Sequence, residues 1–195
     1  MNPRNPPTSI VPLQTLGQAV GKLWVTGDPQ AAIASLSVAA HDPVYASPGM
    51  LCISPQAATH LGQSIATFLL DSNDSADHAL ALTTMLMASS EPGLRMIGPH
   101  ILTPFARRDP TLAKRITDIA TSCFNAASTV ALVIPLAAAV RANPKLAGTS
   151  LAAASSEHNK LIDLVVQTAA RGSLSTARQF TLAMQEQPNK TTDER

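Results

Sequence analysis

Aromatic side chains are scarce in this chain, with one Trp, one Tyr and four Phe making up 3% of 195 residues. The core must therefore be built from Ala, Leu, Ile, Val and Met, which supply most of the 45% hydrophobic content. Sheets draw on alternating β-branched and aromatic residues, and such runs are short here, so helix is favoured over strand. Cysteine is also sparse. Cys52 and Cys123 fit neither a disulfide framework nor a zinc site, and buried thiols in a reducing compartment are expected.

Charge is thin and unevenly placed. The formal net charge is +1, which offers no overall attraction to nucleic acid or an anionic membrane. Residues 1–90 set Arg4 and Lys22 against Asp28, Asp42, Asp71, Asp74 and Asp77, a net −3, leaving +4 for residues 91–195. No Lys or Arg occurs between Lys22 and Arg95. Any nucleic-acid footprint must then be the cluster Arg95, Arg107, Arg108, Lys114 and Arg115,.

Chemical signatures are missing as well. The chain has no Gly-rich phosphate loop, nucleophile elbow, paired zinc-binding histidines or clustered cysteines,. No cofactor or metal is implied, and a non-enzymatic role is expected. The polar run Asp71-Ser72-Asn73-Asp74-Ser75-Ala76-Asp77-His78 spaces oxygen ligands like the start of a calcium loop, but Ala76 and Leu82 stand where Gly and a bidentate Glu are needed,. A turn is the better reading, with Asp74 or Ser75 capping the next helix and Asp77 near its N-terminal dipole. His100 lies between Gly98-Pro99 and Thr103-Pro104, near the Arg pair; a structural role is favoured over catalysis.

What the chain does contain is helix punctuation. A capping residue followed by Pro recurs at Asp28-Pro29, Ser54-Pro55, Asp109-Pro110 and Asn143-Pro144, because a side-chain oxygen satisfies free backbone N–H groups and proline's fixed φ suits the first turn. Helices are predicted over 29–40 and 55–70, the latter burying Ala58, Leu61, Ile65 and Phe68 while His60 and Gln63 face water or a polar seam. Leu13, Leu16, Val20 and Leu23 mark a first helix that ends at Trp24, with Gly17 and Gly21 weakening it or permitting close contact. The stretch 79–88 is apolar nearly all round, as in a deeply buried or interfacial helix. The pairs Gly98-Pro99 and Thr103-Pro104 predict broken helices over 92–105, and later helices are predicted over about 151–171 and 174–186.

The uncharged segment Ile119–Val140 is long enough, if helical, to cross a bilayer's hydrocarbon core. Thr121, Ser122, Asn125, Ser128 and Thr129 share one of its faces, which favours a buried central helix near 110–133 over a membrane span, and Pro135 should kink or end it near Val133.

The expected fold is all-α, an irregular bundle of about seven or eight helices around that central helix. Residues 1–10 form a mobile Pro- and Asn-rich arm, 11–186 a single helical domain and 187–195 a disordered tail. The N-terminus lacks the apolar run of a cleavable signal peptide, so a cytoplasmic or virion location is expected. The favoured function is a helical assembly or interaction protein, such as a shell, coat, scaffold or adaptor, acting as a homo-oligomer or on a protein partner. Its candidate interaction surface is Trp24, Arg95, Arg107, Arg108, Lys114 and Arg115. A secreted or membrane-acting protein using 119–140 is the first alternative, and an enzyme with a dispersed site the second.

Overall fold

The computed structural model describes residues 12–47, 49, 52–122, 126–154 and 159–186, and the side chains of 126–128, 154 and 159 are not described. The expected terminal arm and tail, and Cys123, lie outside these residues. Among the described residues the chain is all-helical apart from one isolated antiparallel bridge, Ala46 to Ile53. Eleven helices follow one another: α1 Leu13–Val25, α2 Pro29–His41, α3 Pro55–Leu70, α4 Ser75–Ala88, α5 Pro92–Arg108, α6 Leu112–Ser122, α7 Ala126–Ala131, α8 Val133–Ala142, α9 Pro144–Ala154, α10 Asn159–Ala170 and α11 Leu174–Gln185. Among the described residues that is more helical elements than the seven or eight expected.

All four cap-and-proline signals are used. Asp28 accepts from the Ala31 N–H at 3.0 Å, Ser54 from Ala57 at 3.2 Å, Asn143 from Leu146 at 3.1 Å and Asp109 from Thr111 at 2.9 Å. A fifth cap, Ser173 to the Thr176 N–H at 3.2 Å, opens α11. Asp74, one of the two capping candidates, stands at the N-cap of α4 but makes no side-chain cap bond, and it sits in the left-handed region at φ 52,.

The central element differs from the predicted one. The predicted span 110–133 is shortened at both ends: Pro110 and Thr111 form a turn ahead of α6, and α8 begins beyond the Leu132 turn with Pro135 in its first turn, where a missing N–H costs least,. The predicted interruption near Val133 is therefore present. The hub is instead α5, which packs against α2, α3, α4, α6, α7 and α8. It was expected to be broken, yet it runs unbroken through Pro99 and Pro104. Proline removes a ladder bond and crowds the carbonyl four residues back, but ten α5 residues are buried and packing on several sides holds the helical path. Thr83 donates to the Gly98 carbonyl at 3.1 Å from α4, and Thr103 to the Pro99 carbonyl at 3.0 Å.

Helices approach closely where side chains are smallest. A Cβ at Gly17 would lie 2.6 Å from Ser64 Cβ and one at Gly21 2.7 Å from the Phe68 ring, so these glycines seat α1 on α3,. The predicted start near Leu151 is too late: the Asn143-Pro144 signal starts α9 at Pro144, and Gly148 lies inside it. The apolar stretch 79–88 proves to be core: Leu80, Leu82, Leu86 and Met87 are buried, and only Met85 among its large apolar residues is exposed.

Candidate functional site

The basic residues predicted to act together are divided by the fold. Arg95 belongs to the first turn of α5, where it is half-buried and its guanidinium donates to the Ser89 carbonyl at 2.7 Å. Arg107 and Arg108 close the same helix and are exposed; twelve residues of helical rise put Arg107 about 18 Å from Arg95 along the axis. Lys114 and Arg115 follow on α6, both exposed. Arg115 pairs with Asp77 of α4 at 2.6 Å, which cancels part of the local positive charge. The surviving basic patch is thus Arg107, Arg108 and Lys114, none of them in an ion pair among the described residues. Trp24 stands apart on α1, a helix packed against α2, α3 and α4, and it rests half-buried on the core.

Between α4 and α6 the Asp77–Arg115 pair lies in an open groove of about 440 Å³ that also involves Thr84, Asp118, Leu80 and Ile119. A second open groove, about 370 Å³, runs between α1 and α3 and is lined by Leu13, Gln14, Gln18, His60, Gln63, Ser64 and Thr67. His60 and Gln63 thus face a polar seam as the sequence indicated. Among the described residues no Lys, Arg, Asp or Glu lines this second groove, and its Ser64 hydroxyl donates to the Gln14 carbonyl at 2.9 Å.

One cluster was not legible in the sequence. Ser37 of α2 donates to Glu91 Oε2 at 2.8 Å, and His41, one turn further on, has Nδ1 3.7 Å from the same oxygen. A serine, a histidine and a carboxylate invite a catalytic reading, but the connectivity opposes it. The serine proton goes to the carboxylate rather than to the imidazole, and Nδ1 must carry hydrogen to donate to the Ser37 carbonyl at 2.9 Å,. The arrangement ties the end of α2 to the start of α5. Ser37 and His41 sit one turn apart, but only tertiary contact brings in Glu91.

His100 is held between α3 and α5. Its Nε2 lies 3.2 Å from Thr59 Oγ1, and burial lowers its pKa from the ordinary histidine value,. The Tyr45 phenol is pushed up by burial and, secondarily, by the Asp42 carboxylate. Cys52 is a free, half-buried thiol. Among the described residues no group of three or more His, Cys, Asp or Glu side chains could hold a metal ion, and no helix is long and apolar enough to cross a membrane. Comparisons with known protein families, with characterised proteins and with solved structures return no match, so what this chain does must be argued from its own residues.

Proposed function

We propose that this chain is a non-enzymatic helical assembly or interaction protein that works through self-association. The observation that carries this reading is the outer side of α11. Ala177, Phe180 and Ala183 bury its inner side, while Leu174 and Leu182, two turns apart, stand 79% and 48% exposed on the other. Leucines left in water at helical spacing gain free energy when a second surface covers them, at roughly 25 cal/mol per Å² of apolar area removed. Val130 and Ile134, four residues apart across the α7–α8 junction, are exposed in the same manner. Self-association therefore rests on these aliphatic side chains rather than on the 79–88 helix, whose apolar content the core absorbs.

The test is size-exclusion chromatography with light scattering on the wild type and on the double variant Leu174→Asp, Leu182→Asp. Both positions are exposed, so the fold should tolerate the change. The wild type is expected to elute as a defined particle larger than the 20.3 kDa monomer, and the double variant to return to monomer. A wild-type monomer across the accessible concentration range overturns the proposal.

A second reading, an assembly that coats RNA, is supported by the exposed Arg107, Arg108 and Lys114, which form no ion pair among the described residues. Reversing Arg107 and Arg108 to Glu is then expected to weaken RNA binding. The slope of log K against log salt should fall by about 0.7 for each lost contact to a single strand. An unchanged slope removes this reading.

A further inference from the structure

Gly17 and Gly21 fix more than the distance between α1 and α3. Gly17 faces Ser64, and Gly21 faces Phe68, four residues further along each helix. The two helices therefore run side by side in the same direction with their turns in register. A row of side chains from each helix flanks the seam, and these rows are the walls of the groove of about 370 Å³. Gln14 and Gln18 stand one turn apart on the α1 wall; Gln63 and Thr67 stand one turn apart on the α3 wall, with His60 a turn before Gln63.

The walls carry hydrogen-bonding capacity that the fold does not use. The side-chain amides of Gln14, Gln18 and Gln63 and the His60 ring enter no hydrogen bond among the described residues, and all four residues are exposed. The Ser64 and Thr67 hydroxyls donate to the Gln14 and Gln63 carbonyls, both at 2.9 Å, and so keep acceptor capacity alone,. Each glutamine offers a donor and an acceptor side by side, the same pair that one residue of a peptide main chain presents. With no Lys, Arg, Asp or Glu among the described lining residues, the groove supplies no fixed counter-charge for an ionic ligand,.

Spacing selects among neutral ligands. Four residues of helix rise about 6 Å, which is the interval from Gln14 to Gln18 and from Gln63 to Thr67. In an extended strand the N–H and C=O of alternate residues point to the same side at intervals of about 6.6 Å, and successive residues point to opposite sides. A strand laid along the seam meets one wall with its odd residues and the other with its even residues. The flexible glutamine stems absorb the mismatch of about 0.6 Å per step.

We propose that the α1–α3 groove binds an uncharged, extended peptide segment of a partner protein through its main chain, with Gln14 and Gln18 holding one edge of the strand and Gln63 and Thr67 the other. Main-chain hydrogen bonds supply the affinity, as when a strand adds to the edge of a sheet. None of the side chains assigned to self-association lines this groove, so the two proposals are independent.

The experiment is an NMR titration of the full chain with the uncharged peptide acetyl-Ser-Val-Ser-Val-Ser-Val-amide, read at the glutamine side-chain amides. If wild-type particles broaden the signals, the Leu174→Asp, Leu182→Asp chain serves, since neither position lines the groove. Saturable shifts of Gln14, Gln18 and Gln63 are expected. Methylating the main-chain nitrogens of the three valines removes the donors along one edge of the strand and should weaken binding by about fivefold or more, the ratio for one neutral hydrogen bond. Gln18→Leu should weaken binding of the unmodified peptide by about fivefold for the same reason. Absence of saturable shifts up to millimolar peptide overturns the proposal, as does equal binding by the methylated peptide or by the Gln18→Leu chain. Saturable binding of the neutral sugar maltohexaose with no response to peptide makes the groove a saccharide site and overturns it as well.

Discussion

Single residues decide how closely the helices of this protein can approach. Gly62 has space for no side chain, because the atoms a Cβ would meet include the Ile97 carbonyl oxygen at 2.9 Å, which cannot rotate away. Gly62→Ala is therefore expected to destabilise the fold by about 1–3 kcal/mol, the range for overpacking a close contact, although alanine is the better helix former. Urea denaturation checks this, and an unchanged or raised midpoint would show that α3 and α5 can separate freely there. The Arg115–Asp77 pair is a contrast. At 2.6 Å it is short, but its side chains are 53% and 66% exposed, and water screening keeps such pairs to about 0–1 kcal/mol,. Neither the tight glycine nor the ion pair is visible in linear spacing, since each depends on a residue more than thirty positions away.

At the scale of helices, the start signals carried most of the legible information. Asp28-Pro29, Ser54-Pro55 and Asn143-Pro144 place the starts of α2, α3 and α9 at the proline, and Asp109 governs the turn into α6. A cap acts on N–H groups two or three residues away, so local sequence contains all of its physics. Asp28→Ala is accordingly expected to cost about 1 kcal/mol, seen as a lower thermal midpoint; no change would mean that water or a neighbouring group satisfies the Ala31 N–H equally well. Interruptions were harder to place. Pro135 falls in the first turn of α8 and coincides with an interruption, whereas Pro99 and Pro104 lie within an unbroken α5. The difference lies in the surroundings: α5 is packed against six other helices, so lost ladder bonds are outweighed by burial on several sides,.

For the whole molecule, the proposed self-association makes a distinct claim about salt. An interface closed by Leu174 and Leu182 should persist at high ionic strength, because apolar burial is not screened, while dissociation by salt would redirect attention to Arg107 and Arg108. The candidate surface named from sequence is only partly kept together: Arg107, Arg108 and Lys114 remain an exposed group near the α5–α6 turn, Arg115 is paired, and Arg95 and Trp24 are elsewhere. Charge could be counted along the chain, but its neutralisation by Asp77 required α4 and α6 to meet. By itself the sequence determined that this is an all-helical protein, because scarce aromatics, Ala-rich composition and capping residues act locally and leave sheets little to build on. Only the tertiary structure decided that α5 is the hub, that Ile119–Val140 is divided among helices, and that His100 faces Thr59. Each of these depends on burial and on partners distant along the chain, which no periodicity within a single segment encodes.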